Sequence, residues 1–386
     1  MEKLLDSVDL SIKKVFTGTI MKKTQLIVCF ISFIFTTAAY PVDIDRLSAS
    51  EASLLVLDDT IRKETLIFNQ IYIDANQAMS QTENDMLRFS DAISSYISNE
   101  ISDEEFWLIA DSIKEDALKP SELLEKKISD INLRSNSDKK FFHPIYKFSY
   151  ENLTKVSNVF RDFSLSLINQ IESIEIGDIE KYDMHLTRSQ IIGAQYNISQ
   201  ADVKELSSKI LPSSNVNRYL GRLDADAQRI AAYHLLLNAE YMLNELDKET
   251  FDELHSKAKN AFKRLSDDKL KKEMFAAIEA IEKNIRTFIN PDEFIIMTNA
   301  RKKMDFFYLI SINLSDNFLK IFDLFEQNID MFSYIDTEGE IQSLREWNYL
   351  QSKISEDGTF HQEVGLALHN DLVEISNIVR KYQPKN

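Results

Sequence analysis

The sequence predicts an all-α fold, an elongated bundle of long antiparallel helices with no appreciable sheet. Three observations carry that expectation. Glycine and proline are scarce, seven and six in 386 residues, and neither interrupts 42–119, 222–290 or 292–338. A sheet needs a turn roughly every 8–12 residues, and turns draw on those two residue types. Helix-capping patterns recur along the chain, and the segments they open carry apolar residues in steps of three and four.

Ser48-Ala-Ser-Glu51 is a capping-box pattern, in which the Ser or Thr side chain accepts from a free N–H of the first turn. Helical spacing continues through Leu54, Leu57, Ile61, Leu66 and Ile73, as one very long helix or two joined near Ser80. Ser102-Asp-Glu-Glu105 opens the next helix, through Phe106, Ile109 and Ile113, ending before Pro120, and Leu123 to Ile131 makes a short one. Residues 133–148 break the rhythm and read as a loop or subdomain joint. The period returns at Leu153, Val156, Phe160, Phe163, Leu167, Ile171 and Ile174, ending near Gly177. Residues 177–222, with three glycines and Pro212, read as short helices and turns.

In the second half, 224–247 reads as one helix, Thr250-Phe-Asp-Glu253 as the cap of the next, and 267–289 as a third. Asn290-Pro-Asp-Glu293 is a strong boundary, with Asn at the N-cap, Pro at the first helical position and acids at the positive helix end. A stripe at Phe307, Ile310, Leu314, Phe318, Ile321, Phe325, Ile329 and Phe332 predicts a helix over 292–335, roughly 65 Å long. Thr359-Phe-His-Gln362 reads as the cap of a last helix reaching about Lys381. Helices this long favour a bundle over a globin-like ball. The domain reading is an N-terminal extension plus signal over 1–39, a helical region over 40–148, and a helical bundle over 149–386 packed with it as one elongated unit.

Residues 21–43 (MKKTQLIVCFISFIFTTAAYPVD) have the pattern of a bacterial export signal. Lys22 and Lys23 form the charged start, Leu26 to Phe35 the apolar run, and Thr37-Ala38-Ala39 the small-residue exit, so cleavage is expected between Ala39 and Tyr40. The signal is 21–39, and its late position is explained if translation starts at Met21; a genuine extension over 1–20 is the alternative. An uncleaved anchor over 24–42, uncharged and preceded by lysines, is the competing reading. Either places the rest of the chain outside the cytoplasm, periplasmic or secreted. The single cysteine, Cys29, lies within the apolar run, so a cleaved chain carries neither disulfide nor thiol chemistry.

The net charge is −17, and residues 1–39 hold five lysines against Glu2, Asp6 and Asp9, so the remainder is more acidic still. Such a field repels phosphate backbones and anionic lipid, which argues against nucleic acid as a partner. No Glu-x-x-His pair of the di-iron type occurs; Asp252-Glu-Leu-His255 is an isolated pattern read as a solvated first turn. His361, Glu363 and His369 share a helix, but a spacing of eight rotates the imidazoles apart, so surface polarity is the expectation. His234, within Tyr233-His-Leu-Leu-Leu237, reads as a core histidine. Asp336-Thr-Glu-Gly-Glu340 misplaces the glycine and the last ligand of a calcium loop. Phosphate loops, nucleophile elbows and His-Glu-x-x-His motifs are absent from the sequence, so no catalytic, metal or cofactor-binding residue is assigned.

Phe306 to Ser315 is an uncharged run between Asp305 and Asp316. Phe306, Phe307 and Tyr308 are the candidate partner or lipid face, against the plainer reading of a buried bundle helix. The expected function is macromolecular binding (interaction, sensing or scaffolding) by an exported helical bundle without a cofactor, its partner a protein or a membrane surface. A secreted helical pore-forming toxin component is the alternative, although the chain after residue 42 lacks an apolar segment of about 20 residues to enter lipid. A metal-free extracytoplasmic enzyme is the least supported reading.

Overall fold

The computed structural model describes residues 59–137, 144–210, 215–243, 245–285, 290–328 and 337–382. Among the described residues the chain forms ten helices and no strand. They are α1 (Asp59–Ile97), α2 (Asp103–Asp116), α3 (Lys119–Ser137), α4 (Pro144–Glu175), α5 (Ile179–Ile210), α6 (Asn215–Met242), α7 (Lys248–Leu265), α8 (Asp268–Ile285), α9 (Pro291–Asn328) and α10 (Thr337–Tyr382). The all-α class follows from the scarcity of turn-forming residues. Two compact units result, one running to Ser199 and including Ala239–Glu245, the other made of Gln200–Asn238 and the chain from Leu246.

In the first unit α1 packs against α2, α3 and α4, and α4 also packs against α2 and α3. Every member of the α4 stripe from Leu153 to Ile174 is buried. Leu167, Ile171 and Ile174 meet Phe89, Ala92 and Ile93 of α1 and Phe106, Ala110 and Ile113 of α2 in one core. Each Leu, Ile or Phe side chain among them contributes about 1.5–3 kcal/mol on full burial. At the start of α2, Ser102 accepts from the Glu105 amide at 3.3 Å, and the Ser102 amide donates to Glu105 Oε2 at 2.8 Å, as the capping box requires.

Two helices of this unit end in left-handed caps. The Gly177 amide donates to Ile174 O and the Asp178 amide to Ser173 O, with Gly177 at φ 72°. The Asn99 amide donates to Tyr96 O and the Glu100 amide to Ser95 O, with Asn99 at φ 57°. Both are Schellman motifs, and asparagine is among the few residues beside glycine that tolerate this backbone. Asp178 then caps α5 by accepting from the Lys181 amide at 3.0 Å.

In the second unit α9 and α10 run antiparallel: Glu293, Lys303, Ser311, Asn317 and Phe325 meet Lys381, Asp371, His361, Asp357 and Trp347 in reversed order. α7 packs on α9. Leu223, Ala227, Leu265, Ala300, Met304, Phe307, Tyr308 and Leu368 form a core. The α9 stripe is buried from Phe307 to Phe325, while Ile329 and Phe332 lie outside the described residues. Asn290 caps α9 by accepting from the Glu293 amide at 2.9 Å, and Glu293 accepts in return from the Asn290 amide at 3.2 Å.

α1 is one helix, unbroken at Ser80, the first of the two readings the sequence allowed. Other segments differ from the sequence expectation. α3 extends to Ser137, and α4 already begins at Pro144, so 133–137 and 144–148 are helical where a loop or joint was expected. Residues 179–210 form one long helix in place of short pieces, because Gly193 is packed within it and does not terminate it. Thr359 caps nothing: α10 passes straight through it, and its hydroxyl donates to Ser355 O one turn back at 3.0 Å.

Candidate functional site

Phe306, Phe307 and Tyr308 are consecutive on α9, so helical geometry turns them to different faces. Phe307 and Tyr308 are buried, Phe307 with its ring 4.3 Å from His361 and Tyr308 beneath the Lys271 ammonium at 5.0 Å from the ring centre. Phe306 is 44% exposed and meets Phe360 of α10, itself 49% exposed, edge-on at 5.7 Å. Leu309, one turn along the same face of α9, is 46% exposed. The surface feature is therefore Phe306, Leu309 and Phe360. Phe360 went unread as a partner because its neighbour is 54 positions away.

His361 and His255 are more buried than expected. His361 is not surface polarity: it is 4% exposed, and its Nε2 lies 2.9 Å from the buried hydroxyl of Ser311. The reason is the uninterrupted α10, which turns position 361 toward α9. Glu363 on the same helix is exposed. His234 is the expected core histidine, fully buried, with its ring 4.8 Å from Phe318 and 6.5 Å from Trp347. Asn238 Nδ2 lies 3.2 Å from its Nε2. Burial alone pushes its pKa down to about 3.

His255 is the clearest correction. It does not sit in a solvated first turn, because Asp247 caps α7 by accepting from the Thr250 amide at 2.7 Å and starts the helix at Lys248. That start puts His255 two turns in, on the buried face with Phe251, Leu254 and Ala258. Its ring lies parallel to Phe322 at 5.3 Å and tilted against Phe251 at 5.3 Å. At its edge stand two carboxylates of α9: Asp323 Oδ1 is 3.4 Å from Nε2, and Glu326 Oε2 is 3.8 Å from Nδ1. Burial and then Lys259 lower its pKa, outweighing Glu326 and Asp323.

An ionic cluster joins α5, α6 and α7 in the second unit. Arg229, 6% exposed, donates through Nη1 to Asp226 at 2.9 Å and through Nη2 to Asp202 at 2.9 Å and Glu205 at 2.6 Å. Arg264 reaches Asp226 from α7 at 2.5 Å. Only the Asp226-x-x-Arg229 pair is visible as a helical spacing; the other partners are 24 to 38 residues distant.

Ala39 and Tyr40, and the whole apolar run 24–42, lie outside the described residues. Among the described residues no helix is long and apolar enough to cross a membrane. No family model, curated protein or solved structure matches the chain.

Proposed function

We propose that this chain is an exported helical-bundle protein that acts by binding another protein through the aromatic face of α9 and α10. The observation that carries this reading is the Phe306–Phe360 pair, two rings in edge contact and each about half exposed, with Leu309 one turn away. An aromatic side chain presents roughly 200 Å², so a partner covering both rings removes about 90–100 Å² from each. At about 25 cal/mol per Å² that is about 2 kcal/mol per ring, the size of an interface anchor. The net charge of −17 supports a protein partner over nucleic acid or anionic lipid. The signal pattern over 21–39 supports export.

Fractionation of host cells with intact-mass measurement, paired with dye release from liposomes, tests the reading. The expected product begins at Tyr40, is found in the periplasm or medium, and releases no dye. A full-length cytoplasmic species overturns export. Dye release that disappears in Phe306→Ser replaces the binding module with the pore-forming alternative.

A further inference from the structure

We propose that His255, Asp323 and Glu326 form a binding site for a divalent transition-metal cation of the zinc class, tying α7 to α9. One ring nitrogen and one oxygen from each carboxylate all lie within 4.8 Å of one another. The three residues are of two kinds that a borderline-soft cation accepts, an imidazole and two carboxylates. They sit on two helices that pack together, with Asp323 and Glu326 at a spacing of three on one face of α9.

The second observation is the state of the imidazole itself. The His255 side chain is 6% exposed, while Asp323 and Glu326 are 52% and 54% exposed. Nε2 stands 3.4 Å from Asp323 Oδ1, and by geometry this buried nitrogen makes no hydrogen bond. The ring is held between Phe251 and Phe322, away from water. A neutral imidazole carries one N–H for its two nitrogens. Both nitrogens face carboxylate oxygens, so one lone pair is left pointing at negative charge. A cation at the edge of the ring turns that repulsion into two attractions and satisfies the buried nitrogen.

The fit needs modest movement. Ligand atoms about 2.0–2.2 Å from a zinc ion in tetrahedral array stand roughly 3.3 Å apart, closer than the widest spacing here. The carboxylates are the exposed members and can rotate inward, whereas the stacked imidazole is already fixed. Three protein ligands leave a fourth position facing solvent, where water completes the shell. Calcium and magnesium prefer all-oxygen shells with more ligands, so the imidazole selects against them.

The test uses the full chain stripped of metal with a chelator and titrated with zinc chloride by calorimetry, with calcium and magnesium chloride as comparisons. Asp323→Asn and Glu326→Gln change exposed groups and leave the fold intact, as circular dichroism would verify. The account expects one zinc per chain, little response to calcium or magnesium, and at least about tenfold weaker binding in each variant. It also expects zinc to raise the melting temperature of the native chain more than that of either variant, since binding only the folded state stabilises it. Absence of saturable binding at millimolar zinc overturns the proposal. So does zinc binding that is unchanged in both variants, which would place the ion elsewhere.

Discussion

Lowering the pH from 7 to 5 should destabilise this protein, and His234 carries a part of that loss that can be isolated. In the unfolded chain its pKa is about 6.5; in the core it falls to about 3 because burial alone opposes the charged ring. The folded state therefore binds fewer protons than the unfolded state between those values. Stability is full above about pH 6.5 and is lost as the pH falls toward 3. The slope approaches about 1.4 kcal/mol per pH unit, and integration from pH 7 to pH 5 gives a loss of about 2 kcal/mol. Urea unfolding followed by circular dichroism at both pH values, on the native chain and on His234→Gln, isolates the term. The glutamine does not titrate and can still pair with Asn238. Carboxylates, and the lowered His185 and His255, contribute equally to both proteins and cancel in the difference. The native chain should lose about 2 kcal/mol more than the variant. Equal losses in the two proteins would refute the assignment of an uncharged, desolvated His234.

Three further outcomes are expected. Arg229→Met removes the guanidinium that Asp226, Asp202 and Glu205 share and should cost about 3–5 kcal/mol in urea unfolding, while Arg229→Lys, which keeps charge but loses the fork, should cost less. Asn99→Val should destabilise by about 1–2 kcal/mol because a β-branched residue resists φ 57°, whereas Asn99→Gly should be neutral or mildly stabilising. Ser102→Ala removes the acceptor for the Glu105 amide and should cost about 1 kcal/mol, with faster amide exchange confined to the first turn of α2.

The helices most legible in the sequence are those that carry an unbroken apolar stripe. The α4 and α9 stripes could be read residue by residue because Leu, Ile, Val and Phe recur there in steps of three and four, although Ser164, Gln170 and Ser311 are buried beside them. α5 was illegible for the opposite reason. Its buried positions include Thr187, Ser189, Gln190 and Asn197, and Ser189 is satisfied across the helix pair by Ser166 at 2.7 Å and Gln170 at 3.2 Å. Polar residues that find partners inside a bundle erase the apolar period without erasing the helix. Capping chemistry was legible at Ser102 and Asn290, whose side chains accept from first-turn amides of their helices. It misled at Thr359, whose hydroxyl serves a carbonyl of its own helix.

His255 was recoverable from sequence in part. Phe251, Leu254 and Ala258 flank it at helical spacing, so its burial follows once α7 starts at Lys248. Its approach to Asp323 and Glu326 needs the α7–α9 packing, which no local pattern encodes. Phe306 was legible as an exposed aromatic only as one of three consecutive candidates. The structure separates it from Phe307 and Tyr308 by the rotation of the helix.

Site-specific photocrosslinking in intact host cells tests the binding account most directly. A photoreactive phenylalanine analogue at position 360, compared with one at exposed Glu253 of α7, reads out contact at the aromatic face. The account predicts one discrete protein adduct from position 360, absent from position 253 and reduced at least about tenfold by Phe306→Ser, as expected for loss of an anchor of about 2 kcal/mol with its packing neighbour. Equal labelling from both positions, or an adduct at 360 that Phe306→Ser leaves unchanged, would contradict it.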